Sequence, residues 1–280
     1  MKLVKNAKPI VDSSVVDALQ DLKLFGLHSS QITVFHEKLF IDTHRDWISK
    51  SKHFCIHGLE DFSYSFVTNG VTDAFNDFYF VNKTVSVLKG EYPYHRDIGT
   101  KVLDDISEIE PYSAFIISYP FSGDGCPHKE WNRIIQTCED KHIKVFLDLC
   151  FVGVSYDLLL TIPECVTHVA FSFSKMFCTG TSRTGIMYTR YKEQSPITVQ
   201  NHWHYTNHVG QIIHYKLMQK FDIDYIVDKY ISKYITFCAT TGLGITNTVL
   251  FGITDDETYS REGYANRACV SYNLQDFKNS

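Results

Sequence analysis

The stretch Ser172-Phe173-Ser174-Lys175, with Arg183-Thr184-Gly185 beginning eight residues after the lysine, follows an apolar run that predicts a β-strand. A lysine that forms a Schiff base needs a fixed, partly dry position, and a nearby arginine can bind a phosphate dianion through its planar fork. The Ser-x-Ser-Lys pattern alone is weak evidence, because a surface lysine after two serines is common. The pattern is informative only in combination with other parts of the chain.

A second chemically informative residue is Asp148, at the end of a short β-branched and aromatic run in Asp148-Leu149-Cys150-Phe151. A buried carboxylate at this position needs a cationic partner. The protonated ring nitrogen of pyridoxal 5′-phosphate (PLP) is such a partner. The alternative is a helix cap or a solvated turn.

A third segment, Thr68-Asn69-Gly70-Val71-Thr72-Asp73-Ala74, lies between a predicted strand and a predicted helix. Glycine lets backbone N–H groups approach an anion at the helix N-terminus, which suits a cofactor phosphate. A capped turn without a ligand is the competing interpretation.

In this order, the three segments resemble the fold-type-I PLP-dependent enzymes, and within them the class I/II aminotransferases. The resemblance covers roughly residues 65–190 and a short C-terminal match. It implies that Lys175 holds PLP as a Schiff base and moves a proton, and that Asp148 keeps the ring nitrogen protonated. The cofactor-binding residues that we predict on this basis are Gly70, Val71, Thr72, Tyr92, Ser122, Asp148, Ser172, Ser174, Lys175 and Arg183.

Besides Ser122, two further residues implied by the resemblance lie outside the three segments. Tyr92, in Glu91-Tyr92-Pro93-Tyr94, matches the aromatic residue that stacks on the PLP ring, although a core or turn tyrosine is an equal alternative. Arg267, in Asn266-Arg267-Ala268-Cys269-Val270, matches the arginine that binds the substrate α-carboxylate. A surface arginine at a strand edge is the competing interpretation.

The sequence departs from the family pattern at two donors to the phenolic oxygen of PLP. Ser122 stands where the family usually has an asparagine, and Phe151 stands where it often has a tyrosine. The C-terminal part is also shorter than the usual small domain. We expect cofactor binding to survive these departures more easily than efficient transamination and substrate closure.

The middle of the chain alternates strand-like and helix-like runs, which predicts an α/β fold with a mostly parallel sheet flanked by helices and a reduced C-terminal α+β subdomain. We expect an N-terminal arm or cover over 1–60, a large PLP-binding domain over 61–200 and a small domain over 201–280. The predicted helices are 72–80, 129–141, 209–221 and 224–237. The predicted strands are 84–88, 114–118, 144–147, 166–171, 185–188, 246–253 and 268–274.

Composition narrows the function classes. A net charge of −5 without a dense basic stripe does not imply a nucleic-acid partner, and no apolar run is long enough to span a bilayer. The eight cysteines are scattered without a C-x-x-C pair, so we interpret them as reduced thiols of a cytoplasmic protein. The resemblance further implies a homodimer and a substrate that is an amino acid or a 2-oxo acid.

One cluster remains outside this interpretation. His202, His204, His208 and His214 lie close in sequence, and His204 and His208 share a helical face, which is compatible with zinc. No glutamate completes an H-E-x-x-H pattern, so solvated or interface histidines are the default and we predict no metal.

The function predicted from the sequence is that of an aminotransferase. Two alternatives stay open: a PLP-dependent decarboxylase or lyase of a specialised pathway, and a non-catalytic PLP-binding protein.

Overall fold

The computed structural model describes residues 1–22 and 37–276 of the chain. Its helices are α1 (Ser13–Gln20), α2 (Glu37–Ile48), α3 (Val71–Val81), α4 (Pro93–Asp97), α5 (Trp131–Asp140), α6 (Pro196–His202), α7 (His208–Lys220), α8 (Tyr225–Thr241) and α9 (Ser271–Leu274). Its strands are β1 (Phe54–His57), β2 (Tyr64–Thr68), β3 (Val85–Leu88), β4 (Lys101–Leu103), β5 (Ala114–Ser118), β6 (Lys144–Asp148), β7 (Leu158–Thr161), β8 (Val166–Ser172), β9 (Gly185–Thr189), β10 (Gly244–Ile245), β11 (Phe251–Ile253) and β12 (Arg267–Cys269). None of the described helices is long and apolar enough to cross a membrane.

The central sheet has seven strands in the order β2-β9-β8-β6-β5-β3-β4. All neighbouring pairs are parallel except those of β9, which runs antiparallel to both β2 and β8. In this register Ser172 pairs with Gly185, which also pairs with Thr68. The end of β2, the start of β9 and the end of β8 therefore meet at one edge of the sheet, where ligands of open α/β sheets usually bind.

The sheet strands are continuous apolar runs because both faces of the sheet are covered. On one face Phe75 and Phe78 of α3 pack against Phe146 of β6, with ring centroids 5.2 and 5.3 Å apart. The opposite face of the sheet packs in a larger cluster of buried apolar residues, which includes Phe40 and Trp47 of α2. This packing fixes the strand ends that carry the polar residues of the site.

The C-terminal part forms a three-stranded antiparallel sheet in the order β10-β11-β12. The hydroxyl of Tyr234 on α8 donates to the carbonyl of Phe251 over 2.7 Å and accepts from the N–H of Thr246 over 2.8 Å. Val4, near the start of the chain, forms an antiparallel bridge to Cys269 of β12. The first residues of the chain are thereby tied to its last strand.

The predicted α/β class with a mostly parallel sheet is confirmed, and the predicted helices and central strands appear within a few residues of their expected bounds. The continuous strand predicted over 246–253 is wrong. Thr246 Oγ1 donates to the carbonyl of Thr248 over 3.0 Å, and Thr248 Oγ1 donates to that of Val154 over 2.9 Å. These side-chain bonds hold a turn between β10 and β11.

The strand predicted over 268–274 is also wrong in its second half. The strand pairing ends where Cys269 pairs with Phe251, the first residue of β11. The N–H of Val270 still donates to the carbonyl of Leu250 over 2.9 Å, and α9 begins at Ser271. The predicted boundaries 1–60, 61–200 and 201–280 stay predictions. Residues 23–36 of the predicted cover and residues 277–280 of the predicted small domain lie outside the described residues.

Candidate active site

A cavity of about 460 Å³ opens where β6 and β8 end and α3 begins. Its volume lies in the range of small-molecule sites. The predicted site residues that line it are Val71, Thr72, Tyr92, Ser122, Asp148, Ser172, Ser174, Lys175, Arg183 and Arg267. The sequence segments that suggested a shared function thus meet in one place.

The remaining predicted residue, Gly70, packs against one wall of the cavity. Its φ of 83° lies in the left-handed region, and a Cβ built on it would lie 3.2 Å from Arg183 Nη2 and 3.6 Å from Ser172 Oγ. A side chain at this position would therefore be strained and would crowd the arginine. Glycine lets the chain turn into α3 directly beside the guanidinium group.

Gly70, Val71, Thr72, Ser172 and Arg183 form what we call the phosphate cup. Arg183 Nε donates to the carbonyl of Asn69 and its Nη2 to Thr72 Oγ1, both over 3.2 Å. The N-terminus of α3 adds free backbone N–H groups and a partial positive charge. The cup therefore combines an oriented guanidinium, hydroxyl groups and a helix N-terminus, which together suit a phosphate dianion.

Asp148 lies at the C-terminal end of β6 with its carboxylate buried. Burial, with a smaller contribution from the nearby Glu91 carboxylate, raises the pKa of Asp148 to about 7. Its Oδ1 accepts the N–H of Cys150 over 2.9 Å, and within residues 1–22 and 37–276 it forms no ion pair. This carboxylate is suited to a cationic ligand group, because such a group would offset its desolvation cost.

Lys175 points into the same cavity, where burial lowers the pKa of its amine. Its Nζ donates to the carbonyl of Ala7 over 2.8 Å. Residues 4–8, which we call the N-terminal strap, cross the cavity, and Asn6, Ala7 and Lys8 line it. A partly desolvated amine of this kind has more of the neutral, nucleophilic form than an exposed lysine has.

Arg267, at the start of β12, is 2% exposed. Its Nη1 donates to the carbonyl of Ser122 over 2.6 Å and its Nη2 to that of Lys5 over 3.2 Å, while its guanidinium lies 3.8 Å from the ring centroid of Phe251. Its buried Nε has no hydrogen-bond partner among the described residues. Arg267 is thus not a surface arginine at a strand edge.

The residues at which the sequence departs from the family pattern also lie in the cavity wall. Phe151 packs edge-to-face on Phe251 with ring centroids 5.2 Å apart. Ser122 uses its backbone, because its N–H donates to Ser118 Oγ over 2.7 Å and its carbonyl accepts from Arg267. The backbone carbonyl of Ser122 therefore helps to position the guanidinium group of Arg267.

The predicted Tyr92 and Ser174 take different positions in the wall. Tyr92, at the start of α4, is 44% exposed and stacks on Tyr94 with ring centroids 6.1 Å apart. Ser174 is oriented by Ser172, because its N–H donates to Ser172 Oγ over 3.3 Å.

Sequence reasoning missed several residues of this site. Arg261 and Cys150 line the cavity, and the carboxylate of Glu91 accepts the N–H of Tyr92 over 2.9 Å. The carboxylate of Glu91 accepts from the N–H and the hydroxyl of Ser118, both over 2.7 Å. A search for further arginines near the C-terminal match would have found Arg261.

The histidine cluster separates in the structure. His214 is buried: its Nδ1 donates to the carbonyl of Gly210 over 2.6 Å and its Nε2 lies 2.7 Å from Thr179 Oγ1. His204 Nδ1 lies 3.0 Å from Glu37, and His208 Nε2 donates to the carbonyl of His204. Within the described ranges, no group of three or more His, Cys, Asp or Glu side chains is arranged to hold a metal ion.

The sequence matches no protein-family model and no curated protein at a significant level. Solved structures are similar to it. An aminotransferase from Mycobacterium tuberculosis superposes with a TM-score of 0.63 at 14% identity, covering 96% of this chain and 86% of that chain. A PLP-bound C-S lyase from Staphylococcus hominis gives a TM-score of 0.61 at 10% identity, covering 96% and 84%.

The aromatic-amino-acid aminotransferase from Burkholderia pseudomallei, covalently bound to PLP, gives a TM-score of 0.56 at 14% identity, covering 96% of this chain and 85% of that chain. These similarities define the class of fold: the chain is an α/β protein with the fold of the fold-type-I PLP-dependent enzymes. Within that class, its fold is aminotransferase-like.

The residues present fit the cofactor that this fold commonly holds. The phosphate cup supplies an arginine and a helix N-terminus, and the glycine at position 70 leaves room where a Cβ would intrude. The buried Asp148, which forms no ion pair with the residues that the structure describes, is suited to a protonated ring nitrogen. Two lysines line the cavity, Lys8 and Lys175. Lys8 is exposed, whereas burial lowers the pKa of the Lys175 amine, so Lys175 is the one suited to the covalent link.

Proposed function

We propose that the chain is a PLP-dependent enzyme that acts on an amino acid, and that it transfers the amino group to a 2-oxo acid. The observation that carries this proposal is the meeting of Lys175, Asp148, the phosphate cup and Arg267 around one cavity. When bound, PLP supplies an electron sink for negative charge that develops at the substrate Cα. All other parts of the proposed mechanism are performed by side chains and backbone of this chain.

In this proposal Arg183, Ser172 and the backbone N–H groups of Val71 and Thr72 hold the phosphate. Asp148 holds the proton of the ring nitrogen, since a cation beside a buried carboxylate is favoured in its charged form. Tyr92 covers one face of the ring. These residues bind and orient the cofactor without taking part in proton transfer at Cα.

Lys175 and Arg267 act on the substrate. Arg267 orients the substrate through a two-point contact to its α-carboxylate, which fixes the direction of the Cα–H bond. Lys175 Nζ, with its pKa lowered by burial, accepts the proton from Cα and returns it at another position. The substrate carboxylate takes the place of the Lys5 carbonyl that Arg267 now contacts.

The test is an absorbance spectrum of the purified protein supplied with PLP, before and after borohydride, with the labelled peptide mapped by mass spectrometry. We expect a band above 400 nm that borohydride removes and a stable label on Lys175. A label on a different lysine would contradict the site. Addition of amino acids should then convert the aldehyde form of the cofactor to the amine form and release a 2-oxo acid.

A second candidate is a lyase or decarboxylase. It is favoured by the similarity to the Staphylococcus hominis C-S lyase and by Phe151 and Ser122, which replace the usual donors to the phenolic oxygen. Release of ammonia, carbon dioxide or a thiol instead of amine-form cofactor would establish this class. Bound cofactor with no spectral response to any amino acid would establish a non-catalytic PLP-binding protein.

We further propose a cytoplasmic homodimer. Free thiols at all eight cysteines suit a reducing compartment. Large apolar surfaces are exposed at the junction of α6 and α7, on Trp203, Tyr205 and Val209. Light scattering at micromolar concentration should give twice the mass of 32.3 kDa. A fully active monomer would contradict the dimer.

A further inference from the structure

Two buried arginines lie side by side at one end of the cavity. Arg261 is 4% exposed and Arg267 is 2% exposed, and both line the cavity. They flank a tight turn, in which Ser260 bridges Asn266 and the N–H of Arg261 donates to the carbonyl of Ala265 over 2.7 Å. Arg261 belongs to no segment that matches the family pattern, so its presence requires a separate explanation.

Arg261 has fewer partners than a buried guanidinium normally requires. Its Nη2 donates to the carbonyl of Glu91 over 3.0 Å, and its Nε is buried without a hydrogen-bond partner among the described residues. The Glu91 carboxylate is nearby but accepts from Ser118 and from the N–H of Tyr92 instead. No carboxylate of the described ranges lies within ion-pair distance of Arg261.

The neighbouring cation adds to this imbalance. The charge of Arg261 contributes, after burial, to lowering the pKa of Arg267. Burial lowers the pKa of Arg261 as well, and the charges of Glu91 and Glu262 offset only part of this effect. A further anion beside both guanidinium groups would therefore be favourable. A bound dianion would reduce the repulsion between the two guanidinium groups. It would also accept hydrogen bonds from their N–H donors.

Cationic side chains outnumber acidic side chains in the wall of the cavity. Its cationic side chains are Lys8, Lys175, Arg183, Arg261 and Arg267, and its acidic side chains are Asp97 and Asp148. Asp97 already pairs with Arg96. With Arg183 assigned to the phosphate and Arg267 to an α-carboxylate, Arg261 is left to bind another anionic group.

We infer that Arg261 is a specificity-determining residue that binds a second anionic group on the substrate, so that the substrate class is amino acids with an anionic side chain. This inference rests on the proposed function, because it takes Arg267 as the ligand of the α-carboxylate. An arginine fork holds a carboxylate through two parallel hydrogen bonds, whereas an amide of the same shape offers one acceptor and no charge. The pair of arginines therefore discriminates a dianion from its monoamide.

The test compares glutarate with its monoamide, glutaramate, as ligands of the PLP-loaded protein in isothermal titration calorimetry. Glutarate carries both carboxylates but no amine, so binding is measured without turnover. We expect glutarate to bind about 10- to 100-fold more tightly than glutaramate, the usual effect of one charged hydrogen-bonding partner in a desolvated site. In Arg261→Gln this preference should fall to less than about threefold, with glutaramate affinity unchanged.

Further variants isolate the role of the fork. Arg261→Lys keeps the charge without the fork and should retain only part of the preference, and it remains informative if Arg261→Gln does not fold. Arg267→Gln should weaken both ligands. Arg133→Gln removes one positive charge from the surface, where Arg133 pairs with Asp105, and should change neither affinity.

Equal affinities for the two ligands in the unaltered protein would overturn the inference, as would a preference that survives in Arg261→Gln or failure of both ligands to bind. If the protein forms the Lys175 adduct but responds equally to glutamine and glutamate, the inference is wrong and the proposed function stands. If no adduct forms, the proposed function is wrong. In that case the same titration of the cofactor-free protein still measures the anion preference of Arg261.

Discussion

The two ends of the cavity are held in different ways. The phosphate cup is built from segments that adjoin the ends of neighbouring sheet strands, and Arg183 bonds directly to Asn69 and Thr72 within it. At the other end Arg261 and Arg267 donate to backbone carbonyls of Glu91, Ser122 and Lys5, which belong to distant parts of the chain. The phosphate cup is therefore fixed by the pairing of neighbouring strands. The two arginines are fixed by contacts between residues that are far apart in the sequence.

This difference separates cofactor binding from substrate selection. The cup depends on the rigid central sheet, so a change in substrate preference need not disturb it. The arginine end depends on a turn and on the N-terminal strap, which are the parts of folds that vary most readily. Substitutions at one end should therefore leave the other nearly unchanged.

Replacement of Lys175 should have the largest effect, because in the proposed function Lys175 both holds the cofactor and moves the substrate proton. Lys175→Ala removes the amine that holds the cofactor and moves the proton, so activity should fall at least about 10²- to 10⁴-fold. The borohydride label should disappear from the protein. A steady-state assay and peptide mapping measure the two effects, and a labelled variant protein would place the covalent link elsewhere.

Asp148→Asn should change the pH dependence of stability in the cofactor-free protein. The folded-state pKa of Asp148 is raised to about 7, so the native state binds more protons than the unfolded state between about pH 4 and pH 7. Stability contributed by the protonated group is present below this window and is lost as pH rises through it. The asparagine variant should thus be more stable at pH 8 by up to about 4 kcal/mol, with little gain at pH 4.

Urea unfolding at both pH values measures this difference. Bound PLP should reverse its sign at pH 8, because the ring nitrogen then pairs with the carboxylate that the variant lacks. A variant whose advantage does not depend on pH would show that the Asp148 carboxylate is already neutralised in the protein.

Arg267→Ala tests the independence of the two ends directly. The loss of a two-point contact to a charged group should lower kcat/KM for the amino acid by tens- to hundred-fold, or about 2 to 3 kcal/mol. The absorbance spectrum of bound PLP should stay unchanged. Stopped-flow and steady-state kinetics provide the measurement.

The matched opposite variant is Arg183→Ala, which should weaken PLP binding by a similar factor. In the fraction that still holds cofactor, the apparent affinity for the amino acid should be retained. If both arginine variants weaken cofactor and substrate alike, the two ends are coupled and the comparison fails. Unchanged kinetics in Arg267→Ala would mean that another arginine binds the carboxylate.

The smallest expected effect concerns Phe151, which lines the cavity and packs on Phe251. Without the usual donors, the phenolate should hold the proton of the Lys175 linkage strongly, and its pKa should lie above that of typical aminotransferases. Phe151→Tyr supplies a donor and should lower this pKa by about one unit, the value of one added hydrogen bond. An absorbance titration of both proteins decides, and an unchanged or higher pKa in the variant would show that another group already contacts the oxygen.

The two ends also differ in how far the sequence predicted them. The cup and Asp148 were predictable because each lies within a few residues of an apolar strand end, where spacing alone fixes position. Arg261 was missed because a turn arginine has no local pattern, and its burial depends on a contact to Glu91 that is 170 residues away. The strand predicted over 246–253 failed for a related reason, since threonine side chains bond to the backbone there.

The N-terminal strap has a consequence for how the molecule is made. Arg267 contacts the carbonyl of Lys5 across 262 residues, and Lys175 contacts that of Ala7 across 168. A ribosome that adds about 5 to 20 residues per second needs roughly 13 to 52 s to pass from Lys5 to Arg267. The central sheet can be nearly complete while the first residues of the nascent chain still lack their partner strand, so the cavity is finished only when synthesis reaches β12.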